Sequence, residues 1–353
     1  MTSSPAAPGS RLASRLGFSD RVFVGPAARR VAREIEEGLE RVETGLADEV
    51  RVADPLADAA SRYLYEAGGK RIRPVLTLLA AQLGDGNTDA VIDVATALEM
   101  THLGSLYHDD VMDGADRRRG VPAAHAVWGN SIAILTGDIL FSRASQLMAR
   151  HGERAIRLQA DTFERLVLGQ MHETIGAQPD DDPIGFYIQV LADKTGSLIA
   201  AATQSGVIFS NAPTALEEPM RIYGEKIGVA FQLLDDVIDL SAKPEDTGKV
   251  PGTDLRAGVP TMPYLLLKAE RDAASGVLAQ RIDDGVTRIA AGDDPAILDA
   301  ALADLRDHVV TQKTLELAHT WTGDAVTALE PLPRGAVRDA LTRFAETLAE
   351  RSS

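Results

Sequence analysis

The chain has 353 residues, of which 45% are hydrophobic and 25% charged, the composition of an ordinary globular protein with enough apolar material for a sizeable core. The net charge of -16 argues against a nucleic-acid partner, which would select a basic face. The absence of cysteine excludes disulfides, zinc–thiolate sites and thiol nucleophiles.

The start of the chain predicts a tail without regular structure. Residues 1–25 are rich in Ser, Pro, Ala and Gly, which is typical of disorder. They lack the continuous apolar stretch of a secretory signal, and no run in the chain approaches the roughly 18 apolar residues of a membrane span. We therefore expect a cytoplasmic protein in which residues 26–353 form a single domain.

Helical periodicity dominates the chain after this tail. Apolar residues recur at spacings of three and four from Pro26, and a second helix ends at Gly68-Gly69. An Ala- and Leu-rich helix follows to about Leu83, and the capping residues of 85–89 open a long helix. Further helices are predicted over 131–150, 153–176, 186–209 and 214–240. A Gly-, Pro- and Asp-rich loop over 243–260 follows, and three or four more helices, broken near 274–296 and at 331–335, complete the chain.

Alternating apolar and polar runs with β-branched residues are scarce, so no sheet is predicted. The expected fold is all-α, one large helical bundle around a central cavity. Two clusters of aspartates fall near the ends of two long helices, and we expect these helices to face each other across the cavity.

The two clusters share the pattern Asp-Asp-x-x-Asp. Asp109, Asp110 and Asp113 form the first, and Asp235, Asp236 and Asp239 the second. Residues four apart lie on one face of a helix, so each cluster pairs like charges that only a cation would stabilise. A single such cluster is more often a solvated turn, but both copies follow apolar helical runs. Oxygen ligands in small numbers suit Mg²⁺, which completes its shell with water and substrate phosphate.

Basic residues lie close to the first cluster in sequence. Arg118 and Arg119 follow it, and Lys70, Arg71 and Arg73 lie in a glycine-rich turn. Arginine forks pair with two phosphate oxygens at once, and glycines permit close backbone approach. The residues themselves therefore predict an all-α protein that binds a diphosphate through metal ions.

These motifs, in their order and spacing, resemble those of the trans-type polyprenyl diphosphate synthases. The resemblance covers nearly all of the chain from about residue 30 and is carried by GGKRIRP (68–74), HDDVMDGADRRRG (108–120), GQMHE (169–173), KTG (194–196), FQLLDDVID (231–239) and GKVPGTDLRAG (248–258). It implies an isoprenoid synthase-like fold, Mg²⁺ as cofactor (two or three ions), a homodimer, and head-to-tail condensation of isopentenyl diphosphate onto geranyl, farnesyl or geranylgeranyl diphosphate.

The resemblance also implies a role for individual residues. It places the allylic diphosphate and its Mg²⁺ ions at Asp109, Asp113, Asp235 and Asp239, with Asp110 and Asp236 beside them, and adds contacts from Arg118, Lys194 and Lys249. It places the metal-free isopentenyl diphosphate at Lys70, Arg73, His102 and Arg119, and the reacting carbons beside Thr195 and Gln232. Three positions depart from the family pattern: Val259 stands for a second loop lysine, Gly114 for an acid, and Tyr107 for an aliphatic residue.

Product length is expected to depend on the helix before the first cluster, which in this family forms a wall of the product tunnel. Gly104 and Ser105 lie one turn before Asp109, followed down the same face by Thr101 and Leu98, and none is aromatic. One helical turn rises about 5.4 Å, close to one isoprene unit, so we expect a product of roughly C30 to C50 rather than about C15 to C20. The alternative is that Gly104 serves helix packing and that Met100 or a neighbouring helix closes the tunnel.

Two further readings of the sequence remain open. A type I terpene cyclase also ionises an allylic diphosphate, but it would usually carry a different second metal motif and more aromatic residues than the 5% found here. A non-catalytic subunit of a synthase would be expected to have lost some of its acidic residues, whereas all six aspartates remain. The product, once made, is expected to pass to a membrane.

Overall fold

The computed structural model describes residues 25–241 and 251–350. The helices of the first half are α1 (Pro26–Glu49), α2 (Pro55–Glu66), α3 (Ile72–Ala81), α4 (Asp89–Met112), α5 (Ala124–Trp128), α6 (Asn130–Ala149) and α7 (Glu153–Ile175). They are followed by α8 (Pro183–Leu191), a π-helical turn (Ala192–Gly196), α9 (Ser197–Phe209), a 3₁₀ turn (Thr214–Leu216) and α10 (Glu217–Ser241).

The remaining described helices begin after residue 250. They are α11 (Thr253–Arg256), α12 (Met262–Ala269), α13 (Ala273–Ala290), a 3₁₀ turn (Pro295–Leu298), α14 (Asp299–Arg306), α15 (Val309–Ala328) and α16 (Ala336–Glu350). None of the described helices combines the length and the apolar character needed to cross a bilayer.

The sequence predicted the long helices, but not the short helix α5 or α11, the second of which lies within the predicted loop over 243–260. The structure contains a small antiparallel hairpin of β1 (Arg117–Arg118) and β2 (Val121–Pro122). No sheet was predicted, because strands of two residues are too short to show an alternating pattern. The predicted break near 274–296 is wrong over much of its length, because α13 continues through Gly276 and Gly285 to Ala290. The predicted tail falls almost entirely on residues 1–24, outside the described residues.

Short polar caps start several helices, and the cap predicted within 85–89 is confirmed at Thr88. The Asp54 carboxylate accepts hydrogen bonds from the backbone N–H groups of Leu56 and Ala57, with Pro55 at the first helical position. Thr88 caps α4 by accepting from Val91 N at 3.2 Å, and Asp182 caps α8 in the same way as Asp54. These caps fix where α2, α4 and α8 begin.

The chain divides into two compact units. One contains the described residues up to Val167 together with Ser197–Glu225 and Ala328–Phe344, and the other contains Leu168–Gly196, Lys226–Thr327 and the described residues from Ala345. The single domain predicted from the sequence stays a prediction.

Helix α4 is the central element of the first unit. It is buried on nearly every side, from Val91 to Tyr107, and its polar residues cluster toward its C-terminal end. It packs most extensively against α6, and also against α1, α3 and α9. Burial of this helix holds the aspartates at its end in a fixed place in the unit.

The second unit has its own hydrophobic core between α12, α13 and α14. Leu267, Ile282, Leu298 and Leu305 are completely buried in it. Gly285 belongs to this core, because a Cβ there would collide with the side chain of Leu298. This close packing is the physical reason why a glycine that resembles a helix break lies inside a helix.

Candidate active site

The first aspartate cluster lies at the C-terminal end of α4. Asp109 is half-buried in its last turn, and Asp113 is the exposed residue that ends the helix, with its N–H bonded to Asp109 O at 2.8 Å. Their spacing of four places both side chains on one face of the helix. The structure therefore leaves the two residues accessible on the same side, as the sequence predicted.

Asp110 has a different environment from its two neighbours. Its side chain is completely buried, and Arg118 Nε and Nη2 both lie 2.6 Å from its Oδ1. Burial raises the pKa of Asp110, whereas the positive charge of Arg118 opposes that rise. Its Oδ2 is also buried and accepts no hydrogen bond from the described residues. This geometry makes Asp110 the partner of Arg118, a supporting position behind the accessible pair.

The hairpin after α4 brings Arg119 to the end of α2. Arg119 lies at the tip with φ = 52°, followed by Gly120 with φ = 81°. Its Nη1 donates to Leu64 O at 2.9 Å and also to Gly68 O. A Cβ on Gly69 would lie 3.0 Å from Arg119 Cζ, so the glycine is needed for this approach. The structure thus joins the glycine-rich turn to the first aspartate motif.

Arg71 is anchored by two acids that the sequence analysis did not identify as functional. Its side chain is buried, and it forms ion pairs with Glu99 at 3.2 Å and Glu43 at 3.1 Å. Glu99 is only 2% exposed and lies on α4 ten residues before Asp109. A charged residue within the apolar run of a buried helix was the available signal, because such a charge needs a partner.

Arg73 and His102 are two further basic residues of the first unit. Burial lowers the pKa of Arg73 to about 10, with Glu99 opposing and Arg119 adding to this shift. Burial, and then the positive charges of Arg73 and Arg119, hold the pKa of His102 well below its usual range. His102 is therefore neutral at physiological pH and able to donate one hydrogen bond. Lys70 is exposed beside these residues in sequence.

The second aspartate cluster shows the same division between accessible and buried members. On α10, Asp235 is exposed and Asp239 half-buried. Asp236 is buried and accepts hydrogen bonds from Tyr187 Oη, 3.0 and 2.9 Å from its two oxygens, and from Met262 N at 2.9 Å. Burial raises its pKa to about 8. The geometry makes Asp236 a structural anchor, and Tyr187 and Met262 are partners that sequence reasoning missed.

Lys194 and Thr195 lie in the π-helical turn, a feature often found at functional sites. Lys194 Nζ is 2.5 Å from Glu173 Oε2, so the KTG and GQMHE motifs meet. Two helices approach this turn closely. A Cβ on Gly169 would lie 2.7 Å from Lys194 N, and one on Gly228 would lie 2.5 Å from Gly196 Cα.

Gln232 follows Gly228 by one helical turn and is half-buried on α10. The close approach of Gly228 to the π-helical turn therefore places Gln232 on the face of α10 that borders Thr195. Lys249, the remaining predicted contact to the allylic diphosphate, lies outside the described residues.

The residues predicted to set product length line a close helix crossing. A Cβ on Gly104 would lie 3.0 Å from Phe141 Cε1 and 3.1 Å from Gly137 O, both on α6. The Phe141 ring packs against Phe163, with centroids 4.5 Å apart, and against His108. Ser105 is buried and donates to His102 O, and Thr101 and Leu98 are also buried. Gly104 thus faces an aromatic side chain of the neighbouring helix.

The accessible carboxylates offer only oxygen donors. Within residues 25–241 and 251–350, no three His, Asp or Glu side chains form a ready-made metal site by themselves. Asp109 with Asp113, and Asp235 with Asp239, each present two oxygen ligands one helical turn apart. Such donors fit a hard divalent cation that takes the rest of its shell from water and phosphate.

An all-α fold, accessible aspartate pairs and a group of buried and half-buried arginines together define a helical enzyme of the isoprenoid synthase class. The family model described as polyprenyl synthetase matches residues 54–290, and the chain belongs to this family. The sequence predictions of the fold class and of a trans-polyprenyl diphosphate synthase are confirmed.

Relatives and solved structures match over most of the chain. It is 40% identical over 321 residues to the nonaprenyl diphosphate synthase of Mycobacterium tuberculosis, covering 91% of this chain and 94% of that protein. It is 33% identical over 298 residues to heptaprenyl diphosphate synthase component 2 of Geobacillus stearothermophilus, covering 84% and 90%. The crystal structure of polyprenyl synthase from Caulobacter crescentus CB15 complexed with calcium and isoprenyl diphosphate has a TM-score of 0.83 and 31% identity, covering 92% and 98%.

Proposed function

We propose that the protein condenses isopentenyl diphosphate head-to-tail with an allylic diphosphate to make a long-chain all-trans polyprenyl diphosphate, roughly C30 to C50. The observation that carries this proposal is the stretch from Tyr107 to Gly120. It presents the accessible pair Asp109 and Asp113 at one end and Arg119, bonded to the end of α2, at the other. The names of the nonaprenyl and heptaprenyl relatives support a long product.

The accessible aspartates are assigned to the allylic diphosphate. Asp109 and Asp113, and in the second unit Asp235 and Asp239, would hold Mg²⁺, whose positive charge stabilises the diphosphate as it leaves. The calcium in the Caulobacter complex supports a divalent ion in this family. Arg118 and Lys194 are assigned as contacts of the same diphosphate. Asp110 holds the guanidinium of Arg118, and Glu173 holds the amino group of Lys194. Lys249 is assigned to the same diphosphate.

Lys70, Arg73, His102 and Arg119 are assigned to the metal-free isopentenyl diphosphate. Arg73, Arg119 and Lys70 supply positive charge, and neutral His102 supplies a hydrogen-bond donor. Glu99 and Glu43 neutralise Arg71, so that guanidinium is occupied in holding the turn and leaves Arg73 and Arg119 for the substrate. The isoprenyl diphosphate in the Caulobacter complex supports a site for such a ligand.

The chemical steps follow from the electrostatics. Breaking the allylic C–O bond leaves a carbocation and a diphosphate, and Arg118 and Lys194 stabilise the negative charge of the latter. The Thr195 hydroxyl and the Gln232 amide present dipoles toward the cation. The isopentenyl double bond then attacks it, and the departing diphosphate takes the proton that the product cation releases. No side chain is required as a separate base.

Product length is assigned to the crossing of α4 and α6. At Gly104 helix α4 carries no aromatic side chain, but Phe141 of α6 fills the space in front of it, supported by Phe163. We therefore propose that Phe141 and Gly104 together shape the tunnel wall one turn below Asp109. In this proposal Gly104 leaves room on α4, as the long-chain expectation requires, and Phe141 of the neighbouring helix limits the tunnel, as in the alternative.

The active assembly is proposed to be a homodimer. Ile134 and Leu135 are adjacent exposed apolar residues on α6, 41% and 56% exposed, a feature that suits burial against a second chain. The relative named component 2 favours an alternative in which a different chain is the partner. A cytoplasmic location stays a prediction.

One assay tests the reaction and the product together. The purified protein is incubated with Mg²⁺, labelled isopentenyl diphosphate and each of geranyl, farnesyl and geranylgeranyl diphosphate, and the products are separated by chromatography. We expect long-chain products that disappear when EDTA removes the metal and return with added Mg²⁺. Consumption of the allylic diphosphate alone would indicate a cyclase, and no elongation would indicate a non-catalytic subunit.

A further inference from the structure

Tyr107 links α4 to α2 through a buried hydroxyl. It precedes Asp109 by two residues, and its side chain is completely buried. The hydroxyl donates to Ala60 O at 2.5 Å and accepts from Leu64 N at 3.1 Å. Because Ala60 and Leu64 are four residues apart, this one group holds both ends of a single turn of α2.

Leu64 connects this hydroxyl to Arg119. Its N–H is bonded to Tyr107, and its C=O accepts from Arg119 Nη1 at 2.9 Å. The same nitrogen of Arg119 donates to Gly68 O, where the glycine-rich turn begins. The final turn of α2 is therefore held by Tyr107 at one end and in turn holds the guanidinium of Arg119.

Arg119 has little freedom to compensate for a movement of α2. Its backbone adopts φ = 52°, a conformation that residues other than glycine rarely adopt unless their surroundings impose it. Its guanidinium lies against Gly69, where even a Cβ would come within 3.0 Å. A shift of Leu64 and Gly68 would therefore move the guanidinium itself.

We infer that Tyr107 is a positioning residue for the condensation. Its hydroxyl fixes the last turn of α2 against α4 and, through Leu64, sets the position of Arg119 and the Gly68–Arg73 turn relative to Asp109 and Asp113. An aliphatic side chain at this position would fill the space but could not form the link. This inference rests on the proposed function, in which Arg119 binds isopentenyl diphosphate.

The test compares the two substrates in Tyr107→Phe, which keeps the ring and removes both hydrogen bonds. We expect the KM for isopentenyl diphosphate to rise about three- to tenfold, because a charge-assisted contact is misplaced. The KM for the allylic diphosphate should change by less than about twofold. An unchanged KM for isopentenyl diphosphate, or an equal rise in both KM values, would overturn the inference.

Tyr223→Phe is the matched control. Tyr223 is also completely buried in the same unit, and its hydroxyl donates to Leu341 O at 2.8 Å, at a residue with no assigned part in the site. We expect this variant to lose stability without a change in either KM. If it reproduces the selective rise, the effect reflects general loosening of the fold and the inference fails.

A double variant tests whether Tyr107 acts through Arg119. If it does, Tyr107→Phe combined with Arg119→Lys should show the same KM for isopentenyl diphosphate as Arg119→Lys alone, since the contact is already lost. Effects that multiply would show that the two residues act independently, and this outcome would also overturn the inference.

Amide hydrogen exchange in the unsubstituted protein gives a measurement that does not depend on the folding of a variant. Isopentenyl diphosphate should slow exchange over residues 60–68, because binding restrains Arg119 and hence the turn it holds. Unchanged exchange at saturating substrate contradicts the inference. Failure of the unsubstituted protein to elongate any primer would instead refute the proposed function, so the two failures are distinguishable.

Discussion

Asp110 and Asp113 lie three residues apart and have opposite environments, which predicts opposite consequences of mutation. Asp113→Asn removes a proposed metal ligand from an exposed position, so we expect kcat to fall by at least about a hundredfold with unchanged thermal stability. Asp110→Asn removes the charge facing partly buried Arg118, so we expect a loss of about 1–3 kcal/mol in the free energy of unfolding.

Urea unfolding and steady-state kinetics on both variants separate these effects. Asp161→Asn is a suitable control, because Asp161 is an exposed acid on α7 outside the proposed metal ligands. If Asp113→Asn were as destabilising as Asp110→Asn, the division into accessible and buried aspartates would be wrong.

His102 predicts a specific dependence of stability on pH. Its folded-state pKa is lowered by burial and by Arg73, Arg119, Arg71 and Arg118 around it. As pH falls below about 6.5, the unfolded chain binds a proton that the folded chain does not, so stability decreases by up to about 1.4 kcal/mol per pH unit. His102→Gln removes this contribution.

We therefore expect the free energy of unfolding to fall more between pH 7.5 and pH 5.5 in the unsubstituted protein than in His102→Gln. Denaturant titrations at both pH values measure the difference. His319→Gln, at an exposed histidine of the second unit, serves as control, and equal pH dependence in all three proteins would contradict the assignment.

At the residue scale, the sequence predicted which residue types form the site but not which member of each cluster is buried. The spacing of four paired Asp109 with Asp113, whereas the partner of Asp110 depended on a hairpin that local patterns did not reveal. Glu99 and Tyr187 were missed because their partners also lie far away in the chain. Their contacts, to Arg71 and Asp236, join residues 28 and 49 positions apart in the chain.

The π-helical turn depends on two close helix approaches, which gives a prediction at the scale of elements. In Gly228→Ala the new methyl group would displace the turn, because its Cβ would lie 2.5 Å from Gly196 Cα. Thr195 would then move relative to Gln232, and we expect kcat to fall about tenfold or more. Gly276→Ala is the control, since that helical glycine has open space around it and gains helix propensity.

Kinetics of both alanine variants decide this prediction. Gly276→Ala should keep full activity and gain up to about 1 kcal/mol in stability. Full activity in Gly228→Ala would mean that the turn adjusts without cost to the reacting centre.

The crossing of α4 and α6 yields a prediction about product length. Phe141→Ala opens the wall opposite Gly104, so we expect a shift of the product distribution by one or more isoprene units toward longer chains. The same change leaves a cavity, which costs about 3–5 kcal/mol for a buried phenylalanine and less for a half-buried one.

Chromatography of the products with a fixed primer measures this shift. Phe209→Ala, another phenylalanine of the same unit that lies away from Gly104 and packs on His151, controls for general loosening. Gly104→Phe, in contrast, would force the helices apart at Phe141 and Gly137, so a folding defect is expected before any shortening of the product.

Helix starts could be predicted because they depend on neighbours in the chain. Asp54 with Pro55, and Asp182 with Pro183, show their caps directly in the sequence. The π-helical turn could not be predicted in this way, because Gly169 and Gly228 come from distant parts of the chain. The break predicted near 274–296 is wrong at Gly285, because its packing partner, Leu298, lies in another element and was not visible in the local sequence.

At the scale of the whole molecule, the proposed dimer can be tested on α6. Leu135→Arg places a charge on the exposed apolar pair, and we expect the protein to sediment as a monomer, with reduced activity if assembly supports the site. Val277→Arg is the control, because Val277 is 62% exposed on α13 and is not part of that pair. Identical sedimentation of both variants would remove this surface as the interface.

Composition and helical periodicity were sufficient to predict the all-α class, and the resemblance supplied the reaction. The assembly could not be predicted in the same way. The exposed apolar residues on α6 lie on its otherwise polar face, and helical periodicity does not distinguish such residues from those of the core. The relation between the two aspartate clusters is likewise a property of the whole chain, and it stays a prediction.

The close pairing of Gly104 with Gly137 also restricts how such a chain can change by mutation. A Cβ added to either glycine would lie about 3 Å from the carbonyl oxygen of the other. A larger residue at either position is therefore unfavourable unless the helices separate. Phe141 has no such restriction, and a single nucleotide substitution converts its codon to one for leucine. Changes in product length are therefore more accessible to evolution through Phe141 than through the glycine before the aspartates.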